Sequence, residues 1–457
     1  MNYKVETARG LTEFLRFRRD PLEYIAGVGR RSVDVRCLRF DSRHIFQVNH
    51  PDLIRDVLVT HDWNFVKGRG LRTSKPILGD GLLTSEGELH RRQRRLVQPA
   101  FHSARLASYA QTMVGCADSL RKTWVAGPQY PIDQEMMRLT LQIVGRTLFS
   151  ADLQDDAAGI GARLTRALQL FLALNSPLVQ SLSPVRRWGE RKVARARREI
   201  EQVLRKVIED HRENPNQYDD MLSMLMRSHD EMASGYMSDE LLLDECLTLF
   251  LAGHETTANA LTWTWYLLAQ HPDAADRLHA ELHGVLDGRL PTLDDLPQLE
   301  FTGRVFREVL RLYPPAWMIA RETVTAYRLG DVEVPAGATL LLSPYATQRD
   351  PRFWDSPEEF RPDRWIEDSS AGRPKFAFYP FGAGTRVCIG EHFAMMEGVL
   401  LIATLAQRWR LHLVPNQTIE LWPQITLRPR HPMCFRIERQ APFRTESTPQ
   451  EVFLQHC

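Results

Sequence analysis

The sequence has almost no excess of charge of either sign, because its 457 residues include 58 Lys and Arg against 57 Asp and Glu. Proteins that bind nucleic acid usually carry a basic surplus, so the bulk charge argues against that class. The sequence also lacks any Gly/Ser-rich linker, internal repeat or low-complexity tract that would mark a domain boundary. We therefore predict one domain over residues 1–457, with a polar, exposed tail from about residue 439.

Cysteine is scarce, and its positions exclude two common uses. No Cys-x-x-Cys pair and no closely spaced set with histidine is present, which argues against a zinc site. A disulfide framework is typical of much smaller secreted chains, so we expect a reducing, cytoplasmic setting. The six cysteines are Cys37, Cys116, Cys246, Cys388, Cys434 and Cys457.

A long apolar run is also missing near the N-terminus. The first thirty residues carry charges throughout and contain no apolar segment of the kind found in a signal peptide. No run of about 18 uncharged apolar residues near that end could span a bilayer. The sequence therefore predicts a protein without a membrane anchor.

Hydrophobic periodicity predicts a large helical body with a small β portion drawn from both ends of the chain. Alternating apolar residues at 33–37, followed by the run Ile45–Val48, indicate a short hairpin. From Pro51 to about residue 313 the apolar spacing is largely helical. Strand patterns return at Asp331–Leu342 and near Leu421–Ile437. The expected fold class is therefore mainly α with a small β portion.

The segment from Phe381 to Gly390 carries the most chemical information. It places Cys388 in a loop of small residues that includes Gly384, with Arg386 two positions before the cysteine. Glycines let a bulky, flat group approach the backbone, and a thiolate needs nearby donors or a metal. The donor fork of arginine suits a carboxylate. A lone cysteine is usually a small buried hydrophobe, but this combination favours a haem site instead.

The pattern Phe-x-x-Gly-x-Arg-x-Cys-x-Gly is similar to the cysteine-ligand loop of the cytochrome P450 family of haem-thiolate enzymes. The resemblance implies a cytochrome P450-like fold, haem b as the cofactor and Cys388 as the ligand of its iron. It also assigns contacts with the haem to Phe381, Gly384, Arg386 and Gly390. Segments in family order cover the chain from about residue 80 to 394, and the chain resembles the soluble, bacterial members of the family.

A second informative segment is the apolar helix predicted over Glu240–Gln270. Ala252, Gly253, Thr256 and Ala260 recur there at helical spacing, so one face of the helix lacks bulk. Glycine inside a helix costs about 1 kcal/mol relative to alanine and needs a reason. Two interpretations stay open, since small residues permit close packing of two helices and also leave room for a flat group.

Glu255 and Thr256 are polar residues in this apolar helix, and each needs a partner or a chemical role. The string Ala-Gly-x-Glu-Thr-Thr resembles the oxygen-activation segment of the family. The resemblance implies that Glu255 and Thr256 hold water and deliver protons, and that Ala252 and Gly253 lie against the haem. Reduction of one oxygen atom to water consumes two protons, which a dry pocket must import along a defined path.

Glu308 and Arg311 lie one turn apart on a predicted helix that Pro314 and Pro315 stop. A Glu–Arg pair at this spacing is common on helix surfaces. What distinguishes this pair is its place in the order of segments along the chain, ahead of the cysteine loop. In the family a similar pair joins an arginine from a downstream segment, which corresponds here to Arg364. The resemblance gives these three side chains a structural role in supporting the cysteine loop.

The resemblance also points to groups that bind the haem propionates. It assigns His90 and Arg94 in the segment that ends Gln-Pro-Ala-Phe, and Arg321 in Ile-Ala-Arg-Glu. The family often has tryptophan at the first of these positions, and histidine there resembles many soluble bacterial members. A histidine can itself donate to a propionate.

Arg91, Arg92 and Arg95 share the predicted helix of His90 and Arg94, and at their spacing they cannot all face a haem. Some must therefore face solvent, on the side where the family receives electrons. Two interpretations stay open, a merely solvated basic face and a docking site for an acidic electron donor. No flavin or ferredoxin segment is fused to the chain, so the resemblance implies a separate ferredoxin or flavodoxin with its reductase.

The activity implied by the resemblance is that of a monomeric monooxygenase, which inserts one oxygen atom of O2 into a fatty acid, terpenoid, steroid or polyketide. One alternative is a haem-thiolate isomerase or peroxygenase, although the pair Glu255-Thr256 is commonly missing from such enzymes. The other is a non-catalytic haem sensor, although no output domain is visible. By family position, five residues line the substrate pocket: Phe171 in a mobile lid, Trp317, Met318, Ile319 and Ile425.

Overall fold

The computed structural model of the chain describes residues 3–9, 11–40, 43–151, 167, 170, 183–230, 235–366 and 372–440. Phe171 and the predicted lid lie outside these residues, as does the tail beyond residue 440. Helices dominate the described chain and several small sheets accompany them, so the predicted fold class is confirmed. Among the described residues, no helix combines the length and apolarity needed to cross a membrane.

Between Pro51 and about residue 313 the described chain is largely helical, as the apolar spacing predicted, and further helices lie before and after this range. The longest described helix, α11 (Asp239–Gln270), is capped by Ser238, whose Oγ accepts from Leu241 N at 3.3 Å. In chain order the helices are α1 Leu11–Arg19, α2 Pro21–Arg30, α3 Pro51–Arg55, α4 Arg69–Arg72, α5 Lys75–Leu78, α6 Gly87–Val97, α7 Ser103–Thr123, α8 Ile132–Leu148, α9 Ser183–Glu213, α10 Met221–Arg227, α11 Asp239–Gln270, α12 Pro272–Leu286, α13 Glu300–Leu312, α14 Pro344–Thr347 and α15 Glu391–Ala406.

The strands lie mainly towards the two ends of the chain, as the alternating patterns predicted. In chain order they are β1 Val5–Arg9, β2 Val35–Phe40, β3 Arg43–Val48, β4 Phe65–Lys67, β5 Gln129–Pro131, β6 His229–Asp230, β7 Gly235–Tyr236, β8 Ile319–Thr323, β9 Tyr327–Leu329, β10 Val332–Val334, β11 Thr339–Leu342, β12 Trp409–Leu413, β13 Leu421–Pro423, β14 Leu427–Pro429 and β15 Cys434–Arg439.

The largest sheet joins distant parts of the chain in the order β1-β2-β3-β11-β8-β4. The predicted hairpin is its antiparallel pair β2–β3, and β11 then lies parallel to β3. At the opposite edge β4 pairs antiparallel with β8, which places Lys67 directly across from Arg321. Two cationic residues far apart in the sequence therefore meet at one edge of the sheet.

The long helix α11 runs through the main hydrophobic core and packs most extensively against α8. A Cβ atom added at Gly253 would lie 2.9 Å from Val144 Cγ2 of α8, which is closer than real contacts allow. At Gly253 the structure therefore supports the first of the two sequence interpretations, because the missing side chain permits close approach of two helices.

Candidate functional site

Two hydrogen bonds to backbone groups of the Cys388 loop hold it in place, one from within the loop and one from the side chain of Arg94. Cys388 N donates to Phe381 O at 2.9 Å, which closes the loop on itself. Arg94 Nη1 of α6 donates to Val387 O at 2.8 Å, which ties the loop to that helix. Arg94 was predicted as a propionate ligand, and the structure gives its guanidinium this contact beside the cysteine.

Gly384 is required by the packing of the loop itself. Its φ of 72° lies in the left-handed region, which favours glycine. A Cβ atom there would also lie 1.9 Å from the carbonyl oxygen of Leu58. The sequence argument attributed the small residues of this segment to room for a haem, whereas at Gly384 the close neighbour is another stretch of backbone.

The surroundings of Cys388 combine exposure with the effects of burial. The residue is exposed, although burial raises the pKa of its thiol and the backbone N–H of Gly390 lowers it. Protein therefore surrounds Cys388 on most sides and leaves one side open. A coordinated metal ion would deprotonate the thiol outright and so offset the effect of burial.

A similar uncovered stripe interrupts the buried helix α11. Ala252 is exposed and Thr256 is half-buried, while Leu251, His254 and Glu255 beside them are buried. The Thr256 hydroxyl donates to the carbonyl of Ala252 at 2.9 Å, so it lies on the same stripe. The middle of α11 therefore presents a small-residue surface with one hydroxyl group to a space that protein side chains do not fill.

Five basic side chains predicted or found near the cysteine loop influence one another. Burial and then the charge of Arg386 lower the pKa of Arg321 to about 10. Burial, followed by the charge of Lys67, lowers the pKa of His90 to about 4, so this imidazole is neutral near pH 7. Burial also lowers the pKa of Lys67 to about 7. The cluster comprises Lys67, His90, Arg94, Arg321 and Arg386.

The hydrogen bonds of this cluster leave donors to spare. Arg386 Nη2 lies 2.5 Å from Glu86 Oε2, but Arg386 Nη1 is buried and has no hydrogen-bond partner among the described residues. Arg321 Nη1 donates to the adjacent carbonyl of Ala320 at 3.1 Å. Spare cationic donors suit a ligand with carboxylate groups, so these residues fit the two propionates of a haem.

Lys67 is the member of this cluster that sequence reasoning missed. Its Nζ donates to Leu82 O at 2.9 Å and to Ser85 O at 2.6 Å, and the residue is buried. In the sequence it precedes Gly68-Arg69-Gly70, which is typical of a loop. Only its pairing with Arg321 across two strands reveals its place, and that pairing leaves no local signal in the sequence.

Glu308 sits at the centre of a separate buried ion cluster. Its Oε1 accepts from Arg311 Nη2 and Arg364 Nε at 2.8 Å each and from Arg361 N at 3.0 Å. Its Oε2 accepts from Arg311 Nε at 2.9 Å and Trp365 Nε1 at 3.0 Å. Burial alone would raise the pKa of Glu308, but the two arginines more than offset it and the pKa is lowered. The structure thus brings together all three side chains that the sequence linked.

The described pocket candidates lie on two segments that touch each other. Trp317 is buried, and its Nε1 donates to the carbonyl of Gln424 at 2.9 Å. Gln424 precedes Ile425, an exposed residue at the tip of the hairpin formed by β13 and β14. Ile319, the first residue of β8, is half-buried, as is Met318 before it. Their role in binding substrate stays a prediction.

Some of the three arginines Arg91, Arg92 and Arg95 were predicted to face solvent, and the three differ in exposure. Arg91 and Arg95 are exposed on α6, and Arg91 forms an ion pair with Glu88. Arg92 is half-buried and its Nε atom is buried. Arg91 and Arg95 are therefore the arginines of this helix that a partner protein could reach.

Comparison with known proteins places this chain beside bacterial oxygenases. The family profile described as Cytochrome P450 matches residues 12–433. The chain is 38% identical to cyclooctatin synthase of Streptomyces melanosporofaciens over 90% of its own length and 89% of that protein. It is 35% identical to cyclooctat-9-en-7-ol 5-monooxygenase of the same organism, over 88% of this chain and 87% of that protein. Pentalenene oxygenase of Streptomyces avermitilis is also 35% identical, over 88% of this chain and 89% of that protein.

Proposed function

This chain belongs to the cytochrome P450 family, and from that premise we propose that its substrate is a terpenoid. The enzyme is a haem b-dependent monooxygenase that acts on a lipophilic small molecule and draws electrons from a redox partner. The observation that carries the substrate proposal is the naming of two relatives after an alkenol and an alkene, cyclooctat-9-en-7-ol and pentalenene. Relatives named monooxygenase and oxygenase favour this activity over the isomerase, peroxygenase and sensor alternatives.

A binding panel tests the substrate class. Cyclic terpene hydrocarbons and alcohols, together with fatty acids, steroids and macrolides of similar hydrophobicity, are titrated into the ferric protein. We expect the largest shift of haem spin state with the terpenes, because a fitting apolar ligand displaces water from the pocket. With an electron donor, the product should carry one oxygen atom from labelled O2. A spin shift with fatty acids alone would contradict the terpenoid proposal and leave the monooxygenase activity intact.

We propose that Cys388 binds the haem iron and that the basic cluster of Lys67, His90, Arg94, Arg321 and Arg386 holds the propionates. The bound haem supplies the activation of O2, which a thiolate ligand favours by promoting O–O cleavage. The overall reaction consumes the substrate, O2, two electrons and two protons, and it yields the hydroxylated product and water. The chain must therefore supply protons to a pocket from which bulk water is excluded.

The residues proposed for proton delivery are Thr256 and Glu255. The Thr256 hydroxyl lies on the uncovered stripe of α11, and its hydrogen bond to Ala252 O leaves its oxygen able to accept from a water molecule. Glu255 is buried at the next position towards the N-terminus and supplies a carboxylate that can take up and release protons. Together they provide an acid and a hydroxyl group at the middle of the helix.

Replacement of Thr256 by alanine should leave the fold and the haem content intact, because it removes one hydroxyl group from a surface of small residues. Proton delivery should fail more often, so electrons are diverted to peroxide. We expect the product formed per NAD(P)H consumed to fall several-fold while the substrate dissociation constant changes little. Thr262→Val is a matched control, since that buried threonine donates to its own helix at Ala258 O. Equal coupling in Thr256→Ala and wild type would refute the assigned role.

For the electron donor we propose an acidic ferredoxin or flavodoxin that docks against Arg91 and Arg95. Both arginines are exposed on α6, the helix whose Arg94 contacts the cysteine loop. Electrostatic steering by such a face weakens with salt, because the Debye length falls from about 30 Å at 0.01 M to about 10 Å at 0.1 M.

The double variant Arg91→Glu, Arg95→Glu should slow reduction of the haem by the donor and flatten its dependence on salt. Substrate binding should not change, because both side chains are exposed. The rate of first-electron transfer is measured against ionic strength for both proteins. Lys192→Glu and Arg195→Glu, on exposed positions of α9, serve as a charge-matched control. Superimposable salt curves for the docking variant and wild type would contradict the docking role and indicate a merely solvated basic face.

The expected monomeric state and cytoplasmic location stay predictions, which gel filtration and cell fractionation test.

A further inference from the structure

Thr426, at the tip of the hairpin formed by β13 and β14, contacts the middle of α11 with its side chain. Its Oγ1 donates to Glu255 Oε1 at 2.5 Å and accepts from Asn259 Nδ2 at 3.1 Å. Glu255 and Asn259 lie one turn apart on α11, so they present their side chains to the same point. All three residues are buried. Because the Thr426 hydroxyl oxygen accepts a hydrogen bond from the Asn259 amide, the single hydroxyl proton is directed to the Glu255 carboxylate.

The hairpin tip is fixed by contacts that do not involve Glu255. On one side of Thr426, Trp317 Nε1 donates to Gln424 O at 2.9 Å. On the other side, Leu427 N donates to Pro315 O at 2.9 Å and Leu427 O accepts from Trp263 Nε1 at 3.3 Å. The backbone on both sides of Thr426 is therefore anchored, and its hydroxyl is a fixed reference point for the carboxylate.

A positive charge on the strand that follows the hairpin tip, β14, reinforces this arrangement. Arg428 lies on β14, two residues after Thr426 at the hairpin tip. The guanidinium of Arg428 lies over the ring of Trp422, 4.6 Å from its centroid. Burial lowers the pKa of Arg428 and the charge of Glu255 raises it, which places the two groups within electrostatic reach. The hairpin therefore offers the acid both a hydrogen bond and a nearby cation.

We propose that Thr426 is a positioning residue, which holds the Glu255 carboxylate in one orientation for proton delivery, with Asn259 orienting the hydroxyl group. The proposal rests on the proposed function of Glu255 and adds a group that does not touch the haem or the reacting atoms. A glutamate side chain has three rotatable bonds, and a carboxylate without this donor can adopt other rotamers. Without the Thr426 hydroxyl, the Glu255 carboxylate would lose the hydrogen bond that holds its Oε1 atom in one position.

The test compares Thr426→Val, which keeps the shape and removes the hydroxyl group, with Thr426→Ser, which keeps the hydroxyl group. Thr262→Val is again the control for the loss of a buried hydroxyl group elsewhere on α11. Crystal structures of the ferric haem-loaded proteins report the conformation of Glu255, and the ratio of peroxide to product reports proton delivery. A ferredoxin with its reductase and NADPH supplies electrons, and the substrate is the compound that gives the largest spin shift.

We expect Thr426→Val to show Glu255 in a changed or split conformation and to raise the peroxide fraction several-fold. Thr426→Ser should restore a single conformation and most of the coupling, and the melting temperature of Thr426→Val should fall by no more than that of Thr262→Val. If Thr426→Val does not fold, Asn259→Ala carries the same test, because loss of the amide frees the hydroxyl group to turn. In either variant an unchanged Glu255 conformation with wild-type coupling would overturn the proposal.

Glu255→Gln separates this proposal from the one on which it rests. If Glu255→Gln is uncoupled and Thr426→Val is coupled normally, the positioning role of Thr426 is refuted and the role of Glu255 in proton delivery is retained. Wild-type coupling in Glu255→Gln would instead remove the role of the acid itself. Uncoupling in both variants, without a further loss when they are combined, is the result that supports a shared function.

Discussion

Replacement of Cys388 by alanine should abolish product formation and sharply reduce haem content. The variant loses the sulfur atom proposed to bind iron, and no other side chain is expected to replace it. The loop itself should survive, because the contacts that hold it use the backbone N–H of Cys388 and the carbonyl of Val387. The loss should therefore appear in the cofactor and in turnover, while the helical content of the protein stays close to that of wild type.

Haem per polypeptide and product per haem are the quantities to measure for Cys388→Ala. Cys434→Ala is a matched control, because Cys434 is a partly buried cysteine on β15 at the far end of the chain. The control should keep both the haem and the activity. A Cys388→Ala protein with full haem content and normal turnover would show that the iron has another ligand.

Replacement of Glu308 by alanine should destabilise the protein by about 3–5 kcal/mol, the usual effect of removing one partner from a buried ion pair. Two arginines, Arg311 and Arg364, would then lie buried without their carboxylate. The indole N–H of Trp365 would lose its acceptor as well. These groups connect α13 to the segment at 361–365, so the loss should also weaken the attachment of that segment to the helix.

Chemical unfolding of the haem-loaded protein measures this effect. Glu300→Ala is the matched control, since Glu300 is exposed in the first turn of the same helix. We expect the control to change the free energy of unfolding by less than about 0.5 kcal/mol, as is usual for surface positions. Similar free energies of unfolding for Glu308→Ala and Glu300→Ala would contradict a supporting role for the buried cluster.

Features encoded in one short segment could be predicted from the sequence, whereas features made by distant segments could not. The loop around Cys388 and the apolar helix around Thr256 each carry their pattern within about thirty residues. Lys67 has no such pattern, because its position depends on the pairing of β4 with β8. Thr426 was missed for the same reason, since its partner Glu255 lies 171 residues away.

At two glycines the structure shows a reason for the missing side chain that the sequence did not reveal. Gly384 was chosen because a haem needs room, yet its Cβ would strike the carbonyl of Leu58. Gly253 was assigned to the haem face, yet its Cβ would strike Val144 of the neighbouring helix. In both cases the sequence reports that a side chain is excluded, and only the structure identifies the group that excludes it.

The axial ligand is tested most directly by the absorption spectrum of the reduced, CO-bound protein. Thiolate ligation by Cys388 predicts a strongly red-shifted Soret band in wild type and in Cys434→Ala. Any haem retained by Cys388→Ala should lack that band. A red-shifted band that persists in Cys388→Ala, or its absence from wild type, would contradict the assignment of Cys388 as the thiolate ligand.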